Sequence, residues 1–163
     1  IPKDGLVVTP HTVAIDGQVI PYSVACGKIV LKGESEAKGE KEGEAEGEKP
    51  KAAICFVGYT RDGVDDPSKR PVTFSFNGGP GSSSVWLHLG VLGPRRVGMD
   101  EIGNLPQPPY TLADNGHTLL DATDLVFIDP LGTGYTRPVT GEKANMPSTW
   151  ALMTMPTDAR SWP

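Results

Sequence analysis

The sequence predicts an α/β fold in which an N-terminal antiparallel meander of strands leads into a mostly parallel sheet. Asp16-Gly17 lies between two extended runs, His11–Ile15 and Gln18–Tyr22, which is a strong signal for a two-residue hairpin turn. Further along, an extended run at 72–76, a glycine-rich loop, a short helical segment and an apolar run at 125–128 follow one another. This order of elements is typical of a parallel α/β unit.

The composition narrows the class of protein. With 15 basic and 20 acidic side chains, the 163-residue chain carries a formal charge of −5, which argues against a nucleic-acid binder. The length suits one domain, and 20 Gly and 16 Pro indicate a loop-rich globular chain. No apolar run approaches the roughly 18 residues that span a bilayer. Because Ile1 is not Met and no leader pattern precedes the strands, we expect a processed product or a fragment.

Most of the net charge comes from residues 33–50, which read GESEAKGEKEGEAEGEKP. Seven Glu and three Lys give this segment −4, so the acidity is local and indicates no particular partner. A segment without apolar side chains cannot offset the entropy cost of ordering. We therefore expect a flexible charged loop between strands at Lys28–Lys32 and Ala52–Thr60. A specific acidic interaction segment is the alternative.

The two cysteines, Cys26 and Cys55, are too few for a set of stabilising disulfides or for a metal site. Cys55 lies in an apolar run, where cysteine behaves as a small hydrophobic residue. We expect two buried free thiols, with a single bridge between neighbouring strands as the alternative.

The middle of the chain predicts a strand, a loop and a short helix. The strand is Val72–Phe76, and Ser82–Ser84 supplies residues that commonly cap helix N termini. The helical segment Val85–Leu89 is expected to end at Gly90 or at Gly93-Pro94.

A second strand is predicted by the apolar run Leu125–Ile128, which fits a strand buried on both faces. Asp129 follows it directly, and Pro130–Gly134 forms the next turn. We expect the Asp129 carboxylate to form hydrogen bonds within this turn and loop. An incomplete sheet of this kind leaves an unpaired strand edge and uncovered apolar faces.

The loop 77–81 reads NGGPG and predicts a rigid receptor for negative charge. Its glycines can turn several N–H groups toward one point, and Pro80 reduces the entropy lost on binding. The helix that follows should add unpaired N–H groups and its positive end. Its first turn has no Asp or Glu of its own to compete with an incoming anion.

The loop could bind a phosphate, act as a purely structural turn, or bind an oxyanion or a carboxylate. A phosphate-binding P-loop requires Gly-Lys-Ser/Thr, and this loop has no Lys. The dinucleotide fingerprint fails as well, because its third glycine position falls on Ser84. A purely structural turn is the second alternative. We favour a developing oxyanion or a substrate carboxylate, as in hydrolases with a glycine-rich oxyanion loop.

Two long motifs carry a resemblance to a known family. Residues 71–84 read PVTFSFNGGPGSSS, with Leu92-Gly-Pro94 after them, and residues 124–136 read DLVFIDPLGTGYT. In this order they resemble the serine carboxypeptidase family, especially its bacterial branch, from about His11 to Lys143. The resemblance implies an α/β-hydrolase fold. It also implies removal of C-terminal amino acids from peptides by a Ser-Asp-His triad.

The resemblance also implies roles for individual residues. Asn77 and the N–H of Gly78 would hold the C-terminal carboxylate of the substrate. The N–H of Gly79 would donate to the tetrahedral intermediate, as one part of the oxyanion hole. Tyr135 would line the substrate cleft.

Two positions depart from the family pattern. Ser82 stands where eukaryotic relatives have a disulfide cysteine, so that bridge is absent. Val91 stands where many relatives have a glutamate that helps to bind the carboxylate. Arg95 and Arg96 could replace that glutamate, or they could lie on a solvated surface.

The chain has no G-x-S-x-G motif, which carries the nucleophile in hydrolases of this kind. We expect His11, His88 and His117 to be surface or packing residues rather than general bases. We therefore interpret residues 1–143 as the N-terminal portion of a carboxypeptidase domain, followed by a divergent or truncated tail at 144–163.

Three functions remain open at this point. The first is a serine carboxypeptidase whose nucleophile and triad are not present in this chain. The second is a module that binds peptide C termini without cleaving them, and the third is an inactive gene fragment. The expected partner is a peptide with a free C-terminal carboxylate, with no cofactor, metal, nucleic acid or membrane span. Family resemblance suggests a periplasmic or secreted location.

Overall fold

A computed structural model describes residues 3–36, 45–78, 81–100 and 102–139. These residues form mostly β-structure with one short helix. The strands are β1 (Gly5–Ile15), β2 (Gln18–Glu36), β3 (Ala45–Arg61), β4 (Val72–Ser75), β5 (Arg95–Val97), β6 (Leu112–Asp114), β7 (Asp124–Ile128) and β8 (Arg137–Pro138). The helix α1 (Val85–Leu87) continues directly into a π-helical turn (His88–Leu92), and 3₁₀ turns lie at Pro67–Lys69 and Leu119–Asp121. The predicted tail at 144–163 lies outside the described residues.

The main sheet is mixed, with the strand order β1-β2-β3-β7-β4 and with β8 pairing to β3. Only β4 and β7 are parallel within the described residues; the other pairs of this sheet are antiparallel. The prediction of an antiparallel N-terminal meander is confirmed, but the described sheet is not mostly parallel. The reason is connectivity, because only the link from β4 to β7 crosses over and returns in the same direction. Strands β5 and β6 form a separate antiparallel hairpin.

The first hairpin forms as its sequence predicts. Ile15 pairs with Gln18, and the two residues between them turn the chain. Asp16 has φ 48° and Gly17 has φ 78°. Positive φ at both positions is the type I′ geometry that favours Asp-Gly.

Strands β2 and β3 extend further than predicted. Their pairing continues to Glu36 opposite Ala45, with irregularities at Leu31/Lys32 and Glu34/Glu36. Residues 33–36 and 45–50 are therefore strand, and the prediction of a loop over them is wrong. Backbone hydrogen bonds propagate the ladder from the apolar part of the hairpin, and this does not require apolar side chains. Residues 37–44 lie outside the described part, and the flexibility of the segment stays a prediction.

One face of the main sheet carries the core. The buried apolar residues are Val13, Ile15, Ile20, Tyr22, Tyr59, Leu120, Leu125 and Phe127, with Leu87 and Leu92 packed against them. Alternate residues of β7 are buried, which places Leu125 and Phe127 on this face. Leu120 and Leu125 are fully buried, and each such side chain contributes about 1.5–3 kcal/mol.

The opposite face and the β4 edge are more open. Val72 and Phe74 are each 39% exposed, and β4 has no neighbour on its outer side among the described residues. A cavity of about 160 Å³ lies on this face, lined by residues that include Phe56, Gly58 and Val126. The expected unpaired edge and uncovered apolar face are therefore found in the described part of the sheet.

Both cysteines are free thiols, as predicted. Cys26 is exposed, however, so the prediction that both are buried is wrong. Cys26 lies opposite Val57 and Cys55 lies opposite Lys28, which makes the two cysteines diagonal rather than direct neighbours. Burial raises the pKa of the half-buried Cys55 thiol, against the opposing effect of Lys28. Separately, no helix in the described ranges is long and apolar enough to cross a membrane.

Candidate functional site

The two motif loops lie at the same edge of the sheet. Strands β4 and β7 are parallel, with Val72 opposite Asp124 and Ser75 opposite Phe127. Their carboxyl ends therefore meet, and the loop that begins at Asn77 leaves the sheet beside the loop that begins at Asp129. In open sheets with parallel strands, ligands bind in the crevice outside these carboxyl ends.

Asn77 brings an unpartnered polar atom to this edge. Its side chain is half-buried, and its Oδ1 atom is buried without a hydrogen-bond partner among the described residues. Such an atom is rare in folded proteins, because leaving a buried acceptor unpaired costs about 1–3 kcal/mol. The atom is therefore a candidate to accept a hydrogen bond from a ligand.

Gly78 lies next to this atom and has open surroundings. It is exposed, and a Cβ atom built on it would meet nothing within 4 Å. Gly79, whose N–H is expected to serve the oxyanion hole, lies outside the described residues together with Pro80. The role of Gly79 therefore stays a prediction.

The carboxylate of Asp129 joins the two motif loops. Its Oδ1 atom accepts hydrogen bonds from the backbone N–H and the hydroxyl of Ser84, each at 3.0 Å. Its Oδ2 atom accepts from the backbone N–H of Tyr135 at 3.1 Å. Hydrogen bonds to an ionised acceptor are roughly twice as strong as neutral ones. The prediction that Asp129 bonds within loops is confirmed, and the bonds to Ser84 reach across to the first motif.

Gly134 allows the second loop to close on this carboxylate. Its φ is +47°, and a Cβ atom at this position would lie only 1.8 Å from Asp129 Oδ2. Backbone and side chain thus approach so closely that only glycine fits without displacement. Thr136, fully buried behind the loop, accepts a hydrogen bond from the Cys55 N–H at 2.9 Å.

Tyr135 points away from the protein at this rigid turn. Its side chain is 82% exposed, while its backbone N–H is bound by Asp129. An exposed aromatic ring on a fixed backbone can contact a bound molecule with little loss of entropy. The predicted role of Tyr135 in lining a substrate cleft is not tested by the fold alone.

The short helical segment after the first motif ends at Gly93-Pro94, as predicted, but its N-terminal end differs from the prediction. Helix α1 has three residues and passes into a π-helical turn that ends at Gly93. Ser84 occupies the N-cap position without a side-chain cap bond; its hydroxyl lies within hydrogen-bonding distance of both the Ile128 carbonyl and Asp129. The Ser84 N–H is also occupied, so the expectation of free N–H groups at this end is wrong for Ser84. The acceptor of the Ser84 N–H is the carboxylate of Asp129, which follows strand β7. The residues of the first helical turn alone therefore do not predict this bond.

His88 is a packing residue, as the sequence analysis expects. Its Nε2 atom is 2.5 Å from the Tyr59 hydroxyl, and its ring stacks on Phe127 with centroids 4.6 Å apart. Burial lowers the pKa of His88 to about 4, although the nearby Asp129 carboxylate opposes this shift. Burial also raises the pKa of Tyr59. At neutral pH the pair is therefore uncharged.

The other two histidines are exposed. His11 contacts Thr9 through Nε2 at 3.0 Å, and His117 lies in the turn after Asn115, whose side chain accepts its N–H. None of the hydrogen bonds in the described part joins a serine hydroxyl to a histidine. The described residues thus show no nucleophile–base pair.

The structure also describes Val91 and the two arginines that could replace the missing glutamate. Val91 is exposed. Arg95 forms an ion pair with Asp114 across the β5–β6 hairpin, with Nη1 and Oδ1 2.8 Å apart, and Arg96 is exposed. Arg95 is therefore already paired, which weakens the idea that it replaces the missing glutamate.

Sequence reasoning missed one residue that stabilises the end of the π-helical turn after the first loop. Asn115 is 1% exposed, and its Nδ2 atom donates to the carbonyls of Val91 and Gly93 at 2.8 Å each. Thr118 donates to the Leu92 carbonyl nearby. These bonds provide hydrogen-bond donors for the backbone carbonyls at the end of the π-helical turn. An asparagine in a Gly-rich turn is too common a pattern to have predicted this role.

Comparison with known proteins identifies the family. No curated protein matches the chain. The family model described as serine carboxypeptidase matches residues 50–151, which is more than half of the 163 residues. The match begins later than the resemblance inferred from the motifs and continues further, and it includes both motif loops. The chain belongs to the serine carboxypeptidase family.

Proposed function

We propose that the chain contributes the substrate-binding edge of a serine carboxypeptidase site, in an α/β-hydrolase fold that releases C-terminal amino acids from peptides. In this proposal Asn77 and Gly78 bind the C-terminal residue of the peptide. The N–H of Gly79 stabilises the oxyanion, and Tyr135 forms a wall of the cleft. Family membership supports the reaction class.

The unpartnered Oδ1 atom of Asn77, beside the open backbone of Gly78, is the observation that carries the proposal. A side-chain amide offers an acceptor oxygen and two N–H donors. A peptide C terminus presents both complements, because its last peptide N–H is a donor and its carboxylate is an acceptor. One asparagine can therefore bind both groups of the terminal residue.

For these 163 residues alone we expect binding with negligible hydrolysis. The sequence contains no G-x-S-x-G motif, and within the described residues His88 is engaged by Tyr59 and Phe127. Removing the triad serine or histidine of a protease lowers kcat by about 10⁶. A single oxyanion donor contributes about 2.7–4 kcal/mol, which cannot compensate for a missing nucleophile.

A binding module without catalysis is the second candidate function. It uses the same residues, and the unpartnered Oδ1 atom of Asn77 is the observation that favours it. An inactive gene fragment is the remaining alternative, and it would recognise neither the carboxylate nor the peptide N–H.

Titration separates these possibilities. The 163-residue chain is titrated with a peptide that has a free C-terminal carboxylate and with the same peptide amidated. We expect the carboxylate form to bind more tightly and Asn77→Ala to reduce that affinity by about tenfold, since hydrogen bonds to charged groups contribute about 1.5–3 kcal/mol. Equal affinity for the two peptides contradicts the proposal.

Asn104→Ala is the matched control, because among the described residues the Asn104 side chain bonds only to the carboxylate of Asp100 in the β5–β6 hairpin, through Nδ2 at 3.0 Å. We expect it to leave the affinity unchanged. A parallel assay follows release of the last amino acid from a blocked dipeptide. Turnover that a serine-directed phosphonate abolishes would show that this chain alone is catalytic, against our expectation.

A further inference from the structure

The Asp129 carboxylate contacts two segments that are far apart in the sequence. Ser84 lies 45 positions before it and belongs to the first motif loop, while Tyr135 lies six positions after it in the second. Each carboxylate oxygen serves a different loop. A movement of either loop relative to the other must therefore break at least one of these bonds.

Contacts of both its backbone and its carboxylate hold Asp129 in place. The Asp129 N–H donates to the Cys55 carbonyl at 3.2 Å, which attaches it to β3. The Ser84 hydroxyl lies between Oδ1 and the Ile128 carbonyl. Gly134 packs against Oδ2 so closely that no Cβ atom could be accommodated. The side chain consequently acts as a rigid link rather than as a mobile surface charge.

We propose that Asp129 is a positioning residue that fixes the spacing between the loop carrying Asn77 and Gly78 and the loop carrying Tyr135. These are the two walls of the peptide C-terminus site, so the inference rests on the proposed function. Asp129 does not touch the peptide in this account. It acts through the backbone N–H groups of Ser84 and Tyr135.

Asp100 shows what an aspartate does when it stabilises only its own turn. Its carboxylate accepts from the N–H groups of Ile102 and Asn104, at 3.1 and 2.7 Å, and from the Asn104 side chain. All of these partners lie within four residues. Asp100→Asn is therefore the matched control for Asp129→Asn, since both changes remove one carboxylate charge that is bonded to two backbone N–H groups.

The first arm of the test needs no peptide. Amide hydrogen exchange is measured by NMR on the full chain at Ser84 and Tyr135. We expect Asp129→Asn to accelerate exchange about tenfold at both amides, because an asparagine can accept from only one of them and carries no charge. Asp100→Asn should change neither rate.

Ser84→Ala provides a milder variant in case Asp129→Asn does not fold. It removes the hydroxyl that bonds to the carboxylate, and it leaves the second loop intact. If Asp129 links the loops, the Tyr135 amide should exchange about threefold faster even though the substitution lies in the other loop. Faster exchange at residue 84 with an unchanged rate at Tyr135 overturns the inference, because the first loop is then loosened without any effect on the second.

The second arm measures peptide binding. We expect Asp129→Asn to reduce about tenfold the ratio of the affinity for the free-carboxylate peptide to the affinity for the amidated peptide. The loss should come from weaker binding of the free-carboxylate peptide. Asp100→Asn should show the same ratio as the unaltered chain. An unchanged ratio in Asp129→Asn, while the unaltered chain prefers the carboxylate, overturns the positioning role.

The two arms distinguish failure of the inference from failure of the proposed function. If the unaltered chain does not prefer the carboxylate, the proposed function fails, and the exchange rates still decide whether Asp129 couples the loops. If only one of the two amides responds to Asp129→Asn, the coupling fails whatever the binding data show.

Discussion

The two ends of strand β7 carry an aspartate each, and the two side chains do different work. At the amino end, Asp124 pairs with Arg70, with Oδ1 and Nε 2.9 Å apart and with side chains that are only 13% and 12% exposed. At the carboxyl end, Asp129 accepts hydrogen bonds from backbone N–H groups of two loops. One loop carries Asn77, whose Oδ1 atom has no partner among the described residues, and the other carries the exposed Tyr135.

At the Asp124 end of β7, the polar groups are paired by this ion pair and by further hydrogen bonds of Arg70. Its guanidinium also donates to the carbonyls of Leu120 and Asp121, at 3.0 and 3.4 Å, and the Arg61 N–H donates to Asp124. Both members of the Arg70–Asp124 pair therefore have partners inside the fold. The comparison teaches that one end of the strand is closed by a charged pair, while at the other end a buried acceptor, Asn77 Oδ1, has no partner among the described residues.

The largest effect is expected from breaking the closed end. Asp124→Ala leaves the buried Arg70 guanidinium without its counter-ion, and removing one partner of a buried pair costs about 3–5 kcal/mol. Urea unfolding should show a loss of this size. Lys69→Ala is the control, because the Lys69–Asp66 pair is 82% and 42% exposed and such surface pairs contribute about 0–1 kcal/mol. Equal losses in the two variants would contradict the comparison.

The second effect is a dependence of the free energy of unfolding on pH, which arises from His88 near the Asp129 end of β7. Since burial lowers the pKa of His88 to about 4 from 6.5, the unfolded state binds the proton more readily between these values. Stability is then full above about pH 6.5 and falls as the pH drops toward 4, by about 3 kcal/mol in total.

The measurement is urea unfolding at pH 7 and at pH 4 for the unaltered chain and for His88→Phe, which keeps a ring against Phe127 and cannot titrate. We expect the difference between the two pH values to shrink by about 3 kcal/mol in the variant. His117→Phe changes an exposed histidine and is the control. A difference as large in His88→Phe as in the unaltered chain would refute the assignment.

The third effect tests the contact between Gly134 and Asp129. Gly134→Ala places a methyl group where the carboxylate oxygen lies, at a φ of +47°. The left-handed backbone costs about 1–2 kcal/mol by itself, and the clash adds to this. In an Asp129→Ala background the clash disappears and only the backbone cost remains. A double-mutant cycle by urea unfolding should therefore be non-additive, and strict additivity would show that the two residues do not touch.

The smallest effect on stability is expected for Tyr135→Ala. Because the side chain is 82% exposed, the free energy of unfolding should change by less than about 0.5 kcal/mol. Affinity for a peptide with a free carboxylate should nevertheless fall several-fold if the ring forms a wall of the site. Tyr110→Ala changes another exposed tyrosine, in the long loop of the β5–β6 hairpin, and should alter neither quantity. A large loss of stability in Tyr135→Ala would place the ring in the fold rather than in the site.

Much of the fold could be predicted from local patterns. The hairpin at Asp16-Gly17 and the strand at Leu125–Ile128 follow from turn chemistry and from a continuous apolar run. The parallel character of the sheet was overestimated, because β3 pairs on its other side with β7, which lies antiparallel to it. Local sequence carries no information about the direction of a strand that returns some 60 residues later.

The candidate site was predicted in part. Its loops and Asn77 stood out by their motifs, whereas the occupation of the Ser84 N–H by Asp129 did not. The aspartate was correctly expected to bond within loops, but its second partner depends on the pairing of β4 with β7. Exposure of Cys26 was missed for a similar reason, since burial depends on what covers a face of the sheet.

By itself the sequence determined the hairpin turn at Asp16-Gly17, parts of the strands β1 to β4 and β7, and the two motifs of the family, because each of these is encoded by residues that are near one another in the chain. The tertiary structure alone decided which charges and polar groups meet. Asp129 and Ser84 are 45 positions apart, His88 and Tyr59 are 29 apart, and Arg70 and Asp124 are 54 apart. Each pair is brought together by the sheet, whose long-range strand pairing no local pattern specifies.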